Sequence, residues 1–175
     1  MKTRSFVIFL SLLIWFPTEA QTSSEQSAAV LTIEFRSKLD QLRAKLNYAD
    51  IKRILGKPLE IEHSTDKGGA LTLYSWDMHY DHSTICMTKL LGKYSSAPKI
   101  EATDFSHLIV RGEIIYVSGF EVIPRKTSRE KIEQLLETSK TYIDGDTISV
   151  LVNGNAYRFI FNQKGILEEL VVDYY

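Results

Sequence analysis

Seven consecutive residues, Trp76-Asp77-Met78-His79-Tyr80-Asp81-His82, gather the side chains best suited to chemistry. Two imidazoles and a carboxylate at His79, Asp81 and His82 are nitrogen and oxygen donors of the kind that hold zinc or a similar cation. His63, on a neighbouring strand, offers a third nitrogen. A small metal-dependent or hydrolytic enzyme centred on His79, Asp81 and His82 is therefore one expectation. The spacing opposes it. Residues three apart along a strand point to opposite faces, so His79 and His82 converge only across a turn or bulge. The preferred reading is a solvated loop joining strands 71–76 and 84–91, with no metal, no cofactor and no catalytic residue. No Gly-x-Ser-x-Gly elbow, His-Glu-x-x-His pair or glycine-rich phosphate loop occurs in the chain. The acidic pairs Asp144/Asp146 and Glu168/Glu169 read as turn chemistry and protection of an exposed strand edge. Cys86 is the only cysteine and lies in the β-type run Thr84–Thr88, where a small buried apolar side chain is the common outcome.

The same segment supports a different use. Tyr74, Trp76 and Tyr80 share one parity of a strand and its continuation, while Leu71 and Leu73 occupy the other. If the leucines face the covering helices, period-two geometry turns the aromatics outward. Aromatics with a polar edge carry much of the binding energy of protein interfaces. Tyr74, Trp76, Asp77, His79 and Tyr80 are accordingly the expected partner-binding residues.

Helical and extended patterns place this segment. Ala28, Leu31, Phe35, Leu39, Leu42 and Leu46 recur at steps of three and four, predicting an amphipathic helix. Asn47 caps a second, short helix whose buried face is Ile51, Ile54 and Leu55, and Gly56 and Pro58 end it. Strands are predicted over 59–63, 71–76, 84–91, 107–111 and 113–117. Thr127 and Glu130 form a reciprocal cap for a helix with Ile132, Leu135 and Leu136 on its apolar face. Strands over 147–152, 157–161 and 166–175 follow, the first two joined by Asn153-Gly154, a strong hairpin signal. The expected class is α+β: an antiparallel sheet built from two helix-plus-β-meander units, about residues 28–119 and 120–175, with the helices on one face.

The chain has 175 residues, 44% hydrophobic and 25% charged, with a formal net charge of −1. Those values suit one globular domain and give no sign of a nucleic-acid partner or polybasic membrane surface. Lys2 and Arg4 precede an apolar run, Ser5 to Phe16, that covers only ~18 Å at 1.5 Å per residue against a ~30 Å hydrocarbon core. Pro17 and the small residues of Thr18-Glu19-Ala20 then suit a signal peptidase. Residues 1–20 read as a removable signal and 21–175 as a single exported domain, periplasmic or secreted, with no integral membrane segment after cleavage.

Tyr48 to Pro58, ending Leu55-Gly56-Lys57-Pro58, and the aromatic-rich Leu71-Thr72-Leu73-Tyr74-Ser75-Trp76 together resemble repeats of the β-lactamase-inhibitor-protein-like group. That group also includes small lipoproteins of outer-membrane assembly. Phe161-Asn162-Gln163-Lys164-Gly165-Ile166-Leu167 resembles the group's last hairpin. The resemblance covers about residues 47–91 and 127–175. It implies helices on one sheet face and a protein partner on the other. The chain departs from the group in having neither a lipid-anchor cysteine after the cleavage site nor the inhibitor's paired disulfides. The expected function is a non-catalytic binding module, an inhibitor or immunity-type protein that blocks a partner enzyme by occlusion. An envelope-assembly accessory is the alternative binding role.

Overall fold

The computed structural model describes residues 30–175. The expected signal and the first residues after it lie outside the described residues. Eleven strands and two α-helices follow in chain order. They are β1 (Ile33–Phe35), α1 (Tyr48–Leu55), β2 (Glu60–Gly68), β3 (Leu71–His79), β4 (Ser83–Gly92) and β5 (Asp104–Val110). Next come β6 (Ile115–Val117), β7 (Phe120–Val122), α2 (Arg129–Leu135), β8 (Thr141–Asp144), β9 (Thr147–Val152), β10 (Asn155–Phe161) and β11 (Leu167–Asp173). Eight strands form one antiparallel sheet in the order β2-β3-β4-β5-β11-β10-β9-β8, and β1-β6-β7 form a small second sheet.

This architecture corrects the expected class. Strand accounts for 48% of the described residues and helix for 15%, so the molecule is mostly β. Helix-plus-meander units are not the building blocks. β5 hydrogen-bonds to β11 from Val110↔Leu170 to His107↔Asp173, which makes the large sheet continuous through its centre. Pairing across that seam is long-range in sequence and leaves no local pattern to read.

The expected helix over 28–46 is also absent in its described part. Ile33, Glu34 and Phe35 alternate buried, exposed and buried, and pair with Ile115–Val117. Ser37 then caps a short 3-10 turn, Lys38–Gln41, its hydroxyl accepting from the Leu39 amide at 3.0 Å. Lys45 has φ +66°, which no helix interior accommodates. The apolar positions Phe35, Leu39 and Leu42 are buried as expected; only the backbone path differs. β-branched Thr32 and Ile33, with a partner strand available, outweigh the three-and-four spacing.

Elsewhere local signals hold. The Asn47 side chain accepts from the Asp50 amide at 3.0 Å, and Gly56 takes φ +89° after α1. Asn153 and Gly154 have φ +51° and +83°, as the tight β9–β10 turn requires. The α2 cap sits one residue later than expected. Ser128 accepts from the Lys131 amide, while the Thr127 hydroxyl accepts from the Ile123 amide at 2.8 Å. Glu168 and Glu169 guard no edge, because β11 lies at the centre of the sheet.

One face of the large sheet packs into the core. Met78, Ile85, Leu108, Leu170 and Phe159 belong to one cluster with Ile51 of α1, Ile132 of α2, and Phe35 and Val117 of the small sheet. Side chains of the opposite parity form a second face on which Asp77, His79, His107 and Arg158 stay half-exposed.

Candidate functional site: the open face of the large sheet

The structure inverts the expected facing of β3. Tyr74 and Trp76 are each only 8% exposed, whereas Leu71 is 47% and Leu73 36% exposed. Met78, fully buried, shares the aromatics' parity and ties them to the core side of the sheet. The leucines lie on the other face, near the end of the arm made by β2, β3 and β4. Tyr74 and Trp76 do not enter the main core; they form a satellite with His63 of β2, whose ring lies 4.7 Å from Trp76 and 6.4 Å from Tyr74. They are therefore packing residues rather than outward anchors. Tyr80 is half-buried, its hydroxyl 3.4 Å from the Gly56 carbonyl. Burial, with Tyr48 nearby, pushes its phenol up to about 12.

The histidines separate. His79 is on the open face, Nδ1 3.2 Å from Thr84 Oγ1 and Nε2 3.7 Å from the Glu62 carboxylate. That last separation exceeds a hydrogen bond, and Nε2 is buried without a partner. His63 is paired with Trp76 and so faces the other way. His82 lies against Gly112, where an added Cβ would stand 2.8 Å from Nδ1. Asp81 and His82 line a cleft of about 360 Å³ together with Lys38, Lys57, Tyr80 and Glu113. Among the described residues, no group of three His, Cys, Asp or Glu side chains could hold a metal ion. His79, Asp81 and His82 are therefore not brought together as a metal-ligand set among the described residues.

Strand register assembles a different row. Glu62, Asp77, Cys86, His107 and Asp173 are successive direct partners across β2, β3, β4, β5 and β11. No sequence motif announces it, since each residue comes from a different strand. The row contains a thiol beside an imidazole, so its protonation matters. Cys86 is 5% exposed, and burial with the neighbouring Asp77 carboxylate pushes its thiol up to about 12. Burial also holds the His107 imidazole below its ordinary value, against the opposing pull of Asp173 and Asp77. The Ser106 hydroxyl donates to the Cys86 carbonyl at 2.9 Å and lies 3.2 Å from His107 Nδ1. A neutral thiol, a neutral imidazole and a carboxylate that opposes thiolate formation do not prepare a nucleophile.

Ion pairs complete the centre of this face. Arg158 grips Asp173 with two hydrogen bonds, of 2.9 and 3.1 Å. Arg111 bonds Glu169 at 2.9 Å and Thr84 at 3.0 Å. Charge is thus compensated over β5, β10 and β11 but not at the β2 margin, where Glu60, Glu62 and Asp77 pair with no Lys or Arg among the described residues. No described helix is long and apolar enough to cross a membrane. Comparison with protein-family models, with curated proteins and with solved structures finds no match to this chain.

Proposed function

We propose that this chain is an exported, non-catalytic protein-binding module of the inhibitor or immunity type, working in the periplasm or outside the cell by occluding a partner enzyme. The observation that supports this reading is a broad sheet with one packed face and one open face, the open one carrying an ordered charged strip. The charged strip offers a partner positions for complementary charge, which favours specificity and rapid encounter. Of the residues expected to bind, Asp77 and His79 remain on this face, and Arg111 and Arg158 join them.

The test is retrieval from the exported fraction. The wild-type chain should retain one protein at a one-to-one ratio. Arg111→Glu with Arg158→Glu should weaken retention by at least about tenfold, a change of ~1.4 kcal/mol, while leaving the circular dichroism spectrum unchanged. Retention of nothing by the wild type, or equal retention by the variant, would overturn the reading. Intact mass of the exported form should correspond to a chain starting at Gln21.

A further inference from the structure

We propose that the free edge of β2 is a strand-addition site that takes an extended, basic segment of a protein partner. This rests on the binding role above and specifies where and how the partner docks. β2 runs nine residues in unbroken register with β3, from Glu60↔His79 to Gly68↔Leu71, and among the described residues pairs on that side only. Every one of its residues is exposed. Its outer margin therefore presents a row of unpaired amide and carbonyl groups, the template that strand addition uses. Proteins usually blunt such a margin by shortening the strand, bulging it, placing proline or charged side chains in it, or covering it. The opposite margin follows that rule, since β8 has four residues. β2 is long, unbulged, proline-free and uncovered, and of these devices it uses only charged side chains, which are mostly acidic.

Charge selects the occupant. Glu60, Glu62 and Asp66 lie at even spacing on the open-face side of β2, and Asp77 stands directly opposite Glu62. Carboxylates in directly paired positions repel, and here no Lys or Arg relieves them. An incoming strand with Lys or Arg at alternate positions would complete the ladder and neutralise this stripe together. A second copy of the chain fits poorly. In the two-fold antiparallel pairing that uses the full strand, centred on Ser64, each Glu62 would face the other copy's Asp66. The acidic stripe protects against self-association and leaves the edge open to a basic segment.

The probe is a ten-residue peptide alternating lysine with valine, with an alternating glutamate–valine peptide as control, both added to the full exported chain. The lysine peptide should bind and, at saturation, slow amide hydrogen exchange in residues 60–68 by about tenfold or more, the glutamate peptide leaving it unchanged. Raising the salt concentration should weaken binding, because the charges are exposed. Glu62→Lys with Asp66→Lys should weaken the lysine peptide at least about tenfold. The milder Glu60→Gln with Glu62→Gln should weaken it less, and serves as the readout if the reversal variant fails to fold. Absence of slowing in 60–68, slowing at 141–144 instead, or equal affinity for the variants would overturn the proposal. Partner retention lost in the Arg111/Arg158 variant but intact in both β2 variants would refute this edge and preserve the binding role. Peptide addition at β2 with no partner retained by the wild type would do the reverse.

Discussion

The β5–β11 seam and the β2–β3 margin are antiparallel pairs of one sheet, built from the same backbone hydrogen bonds, and they are supported differently. Below the seam, Leu108, Val110, Leu170 and Val172 are fully buried in the main core; above it, Arg111–Glu169 and Arg158–Asp173 close the charge. Below the margin, Tyr74 and Trp76 stack on an exposed histidine outside that core; above it, Glu62 faces Asp77. Backbone pairing alone stabilises neither region much, because folding exchanges protein–water for protein–protein hydrogen bonds. What each face carries sets local stability, and the margin, poor in buried contacts, is the part free to accept another strand.

The largest expected difference is in truncations. Leu170→Ala should lower global stability by about 4 kcal/mol, as cavity formation at a fully buried leucine does. Trp76→Ala should cost about 3 kcal/mol, near the low end for a buried tryptophan, because its pocket has an open rim. Denaturant titration reads the totals. Hydrogen exchange should show the Trp76 variant opening residues 60–76 while 107–110 and 170–173 stay protected. Uniform loss of protection in both variants would erase the distinction between seam and margin.

A smaller effect concerns the ion pair over the seam. Arg158→Met should change stability by under about 1 kcal/mol, because a half-exposed pair gains little over its hydrated partners. A loss of several kcal/mol would mean that the pair, not the core beneath, holds the seam.

The smallest is a slope with pH. Burial holds the folded His107 imidazole below its ordinary 6.5, so the unfolded chain takes up this proton first as the pH falls. Its contribution to stability is complete above about 6.5, and is lost progressively from there down towards the lower folded value. His107→Gln should flatten the denaturation midpoint across that interval. Arg158→Met should flatten it partly, since the guanidinium helps to hold the imidazole neutral. An unchanged slope in His107→Gln would place the titration elsewhere.

Local chemistry was legible in the sequence. Asn47, Gly56 and Asn153-Gly154 mark a cap, a helix end and a hairpin because each acts within four residues. Burial of Phe35, Leu39 and Leu42 was legible too, since hydrophobicity reports burial whichever backbone path the chain takes. Strand facing was not. Alternation assigns residues to two sets without saying which set the core covers, and the leucines of β3 lie on the uncovered one. The row from Glu62 to Asp173 was beyond reach for a related reason. Its members are up to 111 positions apart, and only the register of four strand pairs brings them side by side.

The amino-acid sequence by itself determined most of the extended segments (though not β1, β7 or β8), where most turns fall and that many of the apolar side chains leave water, because propensity, turn geometry and hydrophobic transfer act on short stretches. The tertiary structure alone decided that β5 joins β11, that Trp76 packs inward while Asp77 and His79 face out, and that a nine-residue acidic strand ends the sheet at one edge. Those outcomes depend on long-range pairing and on which face the helices and the small sheet cover, both set by the competition of the whole chain for one core.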